Sequence, residues 1–220
     1  VNLIQLQLLT WNLLDDDSTY YPALACTGAL NEAQRLFCLL SLCLEATATF
    51  TLTGGLTFYH FQTQFKDWLV PRRIRNSLGQ RLRANRLIEL DAVSGTWQNA
   101  VGTPVRYSLN GFDFAAIYPT PPADDYLTVT YVRSPVSLAL QTDVPEIREN
   151  SHYALANFAA YTLRTPEGGQ ELAKFAGYLN DFLDEAQAVA KLVRAKNLDA
   201  DYEMLPFELA NIDRSRLTGR

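Results

Sequence analysis

The side chains best equipped for chemistry in this sequence are arginines. Arg72, Arg73, Arg75, Arg81, Arg83 and Arg86 fall in one segment, PRRIRNSLGQRLRANR, with no acid among them. The segment reads as a hairpin turning at Asn76-Ser77-Leu78-Gly79. With Asn76 opposite Gln80, Arg75 would face Arg81, Arg73 would face Arg83, and Ile74 would face Leu82 on the other side. Like charges directly opposite each other are unfavourable, so four guanidiniums on one face ask for a counter-charge. DNA phosphate, an acidic neighbouring subunit, or water and salt would each supply one. The exclusive use of Arg favours fixed bidentate contacts over loose steering.

Other chemistry finds little support. His60 sits in an aromatic strand and His152 in the first turn of a helix, and neither has a second ligand four residues on. No Cys stands at metal spacing, so no metal site is expected. Gly54-Gly55 and Gly168-Gly169 lack the Gly-Lys-Ser/Thr of a phosphate loop, and no Gly-x-Ser-x-Gly elbow occurs. Asp15-Asp16-Asp17 and Asp124-Asp125 lie in polar loops rather than apolar pockets, where a carboxyl could stay protonated. The expectation is a protein with no catalytic, metal or cofactor-binding residues. A non-catalytic binding module stays open, because Trp97, Tyr107, Tyr118 and Tyr126 would stack on a ligand if they formed a solvent-exposed row.

The elements that carry these residues fall into zones. Residues 1–48 read as the first part of a helical bundle, with Leu6, Leu9 and Leu13 on one face of a short helix. Leu30, Ala33, Phe37, Leu40 and Leu44 line the next helix. Leu36 and Leu39 lie off that stripe and are candidates for a subunit interface. Residues 49–140 read as an inserted β domain. The segments FTLT, LTFYHFQ, VPRRIR, RLRA, VRYSL, FDFAAIYP and LTVTYVR are rich in β-branched and aromatic residues. Seven such strands fit a small antiparallel sandwich or barrel, interrupted by a helix near 89–98. Residues 141–198 return to helix, entered through Asp143-Val144-Pro145. Leu155, Phe158, Ala159, Thr162 and Leu163 form one stripe. A longer one runs from Leu172 through Phe175, Leu179, Phe182, Ala186 and Val189 to Val193, with Thr165 and Pro166 suited to its N-cap and first turn. Phe175 and Phe182 are further interface candidates. Residues 199–220 lose periodicity and form an extended tail. The fold class is therefore α+β, a helical bundle from both chain ends with a β insertion.

Composition narrows the function classes. A net charge of −5 argues against a nucleic-acid binder working by bulk charge. The longest apolar run, Leu36 to Leu44, is far short of a membrane span, and no secretion signal is visible. Three cysteines without C-x-x-C spacing suggest reduced core thiols and assembly in a cytosol.

In this order, several segments resemble the head-to-tail adaptor, or connector, proteins of tailed bacteriophages. They are Ala29–Arg35, Gly102-Thr103-Pro104-Val105-Arg106-Tyr107, Ile117–Pro121, Leu127–Pro135, Asp143–Ile147, and His152–Leu155 with Phe158–Tyr161. The chain departs at Arg148, where such proteins often carry a second Pro, which bears on where the next helix starts. The resemblance implies a structural virion protein of the neck. It would be a ring, typically of twelve subunits, docked on the portal protein at one vertex, extending the DNA channel and offering a platform to tail or nozzle proteins. It implies partners among copies of itself, portal, tail and passing genomic DNA, with no membrane and no cofactor. It also implies a C-terminal segment that reaches the portal, here carrying Pro206, Phe207, Arg214, Arg216 and Arg220. Competing readings are a monomeric stopper or head-completion protein, and a β-domain module that grips a tail fibre or glycan.

Overall fold

Asn2 begins the first helix. Its side chain accepts the Gln5 N–H at 3.1 Å while the Gln5 side chain accepts the Asn2 N–H at 2.9 Å, a reciprocal cap that satisfies two otherwise orphaned donors. Helix α1 (Leu3–Leu14) ends at left-handed Asp15. Helix α2 (Ala23–Ser41) follows Pro22 and ends at left-handed Leu42. Strands β1 (Glu45–Leu52), β2 (Phe58–His60), β3 (Trp68–Arg75) and β4 (Arg83–Ala84) come next, then helix α3 (Leu87–Val93). Strands β5 (Arg106–Asn110), β6 (Phe114–Tyr118) and β7 (Asp125–Arg133) precede helices α4 (His152–Arg164) and α5 (Gly169–Lys196). This computed structural model describes residues 1–196 apart from Ser94, Phe112 and Gly168. The chain forms two compact units, one of residues 1–44 with the segment from 134 onward, the other of residues 45–133.

In the helical unit α4 packs against α1, α2 and α5. Its Ala154, Ala156, Ala159 and Ala160 are all buried, and side chains this short leave room for neighbours on several sides. Leu30, Ala33 and Phe37 of α2 meet Leu155 and Ala159 of α4 and Leu179, Phe182, Leu183 and Ala186 of α5 in one core. Phe182 is its centre, edge-on to Phe37 and 4.6 Å from the Phe158 ring centroid. The inner face of α1 differs from the expected one. Leu3, Leu6, Gln7, Thr10 and Leu14 are buried, whereas Leu9 and Leu13 are half-buried. The two polar members hid this face, and both are bonded: Gln7 Nε2 donates to Thr27 Oγ1 and Ala23 O, and Thr10 Oγ1 to Leu6 O. Thr165 and Pro166 do not cap α5. They lie in a 3-10 turn, where Thr165 Oγ1 donates back to Tyr161 O and so prolongs α4.

The other unit is two sheets, in the orders β1-β7-β3 and β2-β6-β5-β4. They share one core of Phe50, Leu52, Tyr59, Ile74, Tyr107, Ile117, Leu127, Val129 and Tyr131, so the arrangement is a sandwich and not a closed barrel. Phe50, Phe61, Phe65, Trp68 and Tyr131 form a contiguous aromatic cluster inside it. One pairing departs from the antiparallel expectation: β4 runs parallel to β5. The expected 89–98 helix is two pieces, α3 and a 3-10 turn at Trp97–Asn99. Leu90, Trp97 and Ala116 make a second small core. Gly54 is required by close approach, because a Cβ there would meet Ala123 Cα at 2.7 Å.

Replacing Phe182 with Ala removes the ring at the centre of the helical core and should cost ~3–5 kcal/mol of stability, read by urea denaturation. A loss below ~1 kcal/mol would mean that the Phe37 and Phe158 rings close the gap unaided. Tyr131 gives an alkaline test. Burial, with a hydrogen bond to Asp67 adding to it, raises its phenol to about 12. Its neutral form is favoured in the fold, so its contribution is complete below the ordinary value of 10.0 and is lost as pH rises toward 12. Burial also raises the phenols of Tyr59 and Tyr107, so ultraviolet titration should find a late-ionising group of tyrosines that Tyr131→Phe reduces by one.

Candidate functional site

The basic hairpin is pinned by Asn76. Its N–H donates to Gln80 O at 2.9 Å, its Oδ1 accepts from Leu78 and Gln80 N–H, and its Nδ2 donates to Pro104 O. Gly79 supplies the positive φ of the turn. Arg75 pairs with Arg81 in an antiparallel bridge, and Leu82 N–H bonds Ile74 O. Beyond Leu82 the strands part. Arg83 pairs with Arg106 of β5, while Arg73 sits opposite Thr130 of β7 beside an irregularity at Pro71. The cluster therefore gains Arg106, which lies far away in the sequence. Arg81, Arg83, Val105 and Arg106 line a shallow depression of about 280 Å³.

The six arginines are not equivalent. Arg72 is ion-paired with Glu45 at 2.9 Å, and both residues sit on strands that flank β7, so this guanidinium braces its own sheet. Arg86 starts α3. Its N–H donates to Glu89 Oε2, as does Asn85 Nδ2. The Asn85 bond foremost, then the Arg86 N–H and the charges of Arg86 and Arg106, hold the Glu89 carboxyl below its ordinary range. Arg75, Arg81 and Arg83 are exposed, and Arg73 and Arg106 half-exposed.

The segment entering α4 is held by hydrogen bonds from several elements of the helical unit. Asn31 of α2 holds Leu138 by both backbone groups, at 2.7 and 3.0 Å, and Gln34 Nε2 donates to Val136 O. Asp143 Oδ2 accepts from Ala139 and Leu140 N–H, and these two bonds lower its pKa. Glu146 accepts from Val136 N–H, and Leu3 N–H donates to Asp143 O. His152 is buried, its Nε2–H donating to Ile147 O. Burial lowers its pKa, so it is a neutral structural residue rather than a base facing solvent. Arg148 has φ −59°, a value proline adopts freely, so the departure from Pro leaves the chain's course unaltered. A 3-10 turn at Glu149–Ser151 then leads into α4.

The interface candidates separate. Phe175 and Phe182 are buried within the helical unit and are consumed by its own packing. Leu36 is half-buried against the core, and Leu39 is 41% exposed. Trp97 and Tyr107 are buried and Tyr118 is half-buried, which leaves only Tyr126 of that set exposed, so the four do not form an exposed row. Trp97 Nε1 is already committed to Asp91. His60 and Asp113 make an exposed pair at 2.9 Å, in register with the β2–β6 edge. Among the described residues no three His, Cys, Asp or Glu side chains gather as metal ligands would. Pro206, Phe207, Arg214, Arg216 and Arg220 lie outside the described residues.

No curated protein matches the chain. A family model described as SU10 adaptor protein matches residues 2–202, nearly the whole sequence and both units of the fold. The chain belongs to the SU10 adaptor protein family, a family of phage adaptors.

Proposed function

We propose that this phage adaptor works as a ring of copies, twelve in number, seated on the portal protein at one capsid vertex. There it extends the axial DNA channel and presents a platform to tail or nozzle proteins. Family membership supports a structural role in the virion neck, with portal and tail proteins as partners. Assembly in the host cytoplasm fits its three reduced cysteines. Among the described residues, no helix is long and apolar enough to cross a membrane.

The observation that carries the ring is where the helical unit leaves its apolar surface. From Phe175 to Val189 the stripe of α5 is spent inside the unit, so this helix, about 42 Å long at 1.5 Å per residue, acts as a stiff spine. Yet Leu8 of α1 is 52% exposed, and Leu24 and Leu39 of α2 are 85% and 41% exposed. A closed heterologous ring requires two different patches on each copy, and apolar side chains on separate helices supply them. In this reading Leu36 and Leu39 belong to one contact. The exposed arginines of the hairpin, Arg75, Arg81 and Arg83, with half-exposed Arg73, face DNA in the channel or an acidic partner. The tail carrying Pro206, Phe207 and the three terminal arginines reaches the portal.

Mass measurement and negative-stain imaging of the purified chain, alone and with its portal protein, test the ring directly. A ring is expected, free or formed on the portal, and a persistent monomer that ignores the portal would overturn the reading. Leu39→Glu should shift the ring toward monomer while leaving the helical circular dichroism signal unchanged. Replacing Arg73, Arg75, Arg81 and Arg83 by Gln should leave rings intact and impair DNA retention or ejection. Normal retention and ejection in that variant would sink the channel-facing assignment.

A further inference from the structure

Cys38, in the last turn of α2, is buried in the helical core, and Cys43, just past the end of that helix, packs against it; the adaptor role does not use their thiol chemistry. Leu42 turns left-handed (φ 55°) and its N–H closes on Cys38 O at 2.8 Å, which folds the chain back over the last turn of the helix. That reversal brings Cys43 Sγ to 4.0 Å from Cys38 Sγ. Cys38 is fully buried, whereas Cys43 is half-buried and open to small reagents. From their sequence spacing alone the two thiols would not be paired. The left-handed turn is what joins them.

We propose that Cys38 and Cys43 form a reversible dithiol site that exchanges with low-molecular-weight disulfides of the glutathione type, Cys43 as the attacking thiol and Cys38 as the resolving one. The Cys43 thiolate attacks one sulfur of the small disulfide. That S–S bond breaks, and the departing thiolate takes up a proton, leaving a mixed disulfide on Cys43. The Cys38 sulfur, releasing its proton to solvent, then attacks Cys43 Sγ and expels the second small thiolate, which is protonated in turn. Two protein thiols are oxidised to one disulfide, and one small disulfide is reduced to two thiols. The sulfurs must close from 4.0 Å to a bond length of about 2.05 Å. The thiols differ in reactivity as these roles demand. The neighbouring Cys38 thiol, opposed by burial, brings Cys43 down to about 7. Burial pushes Cys26 up to about 11, so Cys26 serves as an internal control.

The test uses the full chain, folded, with oxidised glutathione as the probe, followed by acid quench, alkylation after unfolding, and tryptic mapping. Cleavage after Arg35 separates Cys26 from the pair, which share the next peptide. The expected result is a pair peptide lighter by two hydrogens, holding no glutathione and refractory to alkylation until dithiothreitol is added. Cys26 should be modified at least ~10-fold more slowly. Cys38→Ser should stop at one glutathione on Cys43. In the wild-type chain, stable glutathione on Cys43, equal modification of Cys26, or no reaction at either member of the pair would each overturn the proposal. The wild-type peptide alone decides the matter, so a variant that fails to fold leaves the test intact.

Discussion

A helix packed against three others must be thin. α4 meets α1, α2 and α5, and the helical unit closes around it only because Ala154, Ala156, Ala159 and Ala160 carry single methyl groups. Leu155 and Phe158 of α4 meet the bulky side chains of its partners, Phe37, Leu30, Phe182 and Leu183, which fill the space that the alanines leave. Of α5, Phe175, Leu179, Phe182, Ala186, Val189 and Ala190 are buried within their own unit, while Leu192 stays half exposed.

The second constraint is the way the chain is led into α4. From Val136 to His152 the backbone is held by side chains of α2, by the start of α1, and by its own Asp143 and Glu146 carboxylates. Ser151 Oγ adds a bond to Glu185 of α5. A connector tied at so many points behaves as part of the packed unit, which explains the Asp-Val-Pro turn in structural rather than catalytic terms. The proline limits the directions open to the chain, and the carboxylate beside it satisfies the N–H groups that the bend exposes. A protein whose task is to hold other proteins at fixed positions needs rigidity of this kind more than it needs a cleft.

The basic hairpin follows a different logic. Like charges set opposite each other in register, Arg75 with Arg81 and Arg83 with Arg106, are unfavourable in isolation. Arg72 is matched internally by Glu45, and Arg86 lies beside Glu89. Arg81, Arg83 and Arg106 line a shallow, open depression.

Much of this was legible in the residues. The α+β class, the seven strand segments and the long stripe of α5 follow from local periodicity and β-branched or aromatic content, because each side chain's preference is set within a turn or a strand of its neighbours. So does the turn at Asn76–Gly79. The inner face of α1 was misread because Gln7 and Thr10 take core positions once their hydrogen bonds are met, a condition no hydropathy pattern reports. Which strand β4 joins, and hence Arg106 beside Arg83, depended on a parallel pairing between segments separated in sequence. Glu45 reached Arg72 only because β1 and β3 flank the same strand. Phe175 and Phe182 read as surplus apolar surface until the alanines of α4 drew them inward. By itself the sequence determined the kinds of elements and, outside α1, most of their inward-facing residues. Tertiary structure decided which charges meet, which apolar faces are spent, and that Cys43 lies against Cys38, since those outcomes rest on pairings and a backbone reversal that local preference does not specify.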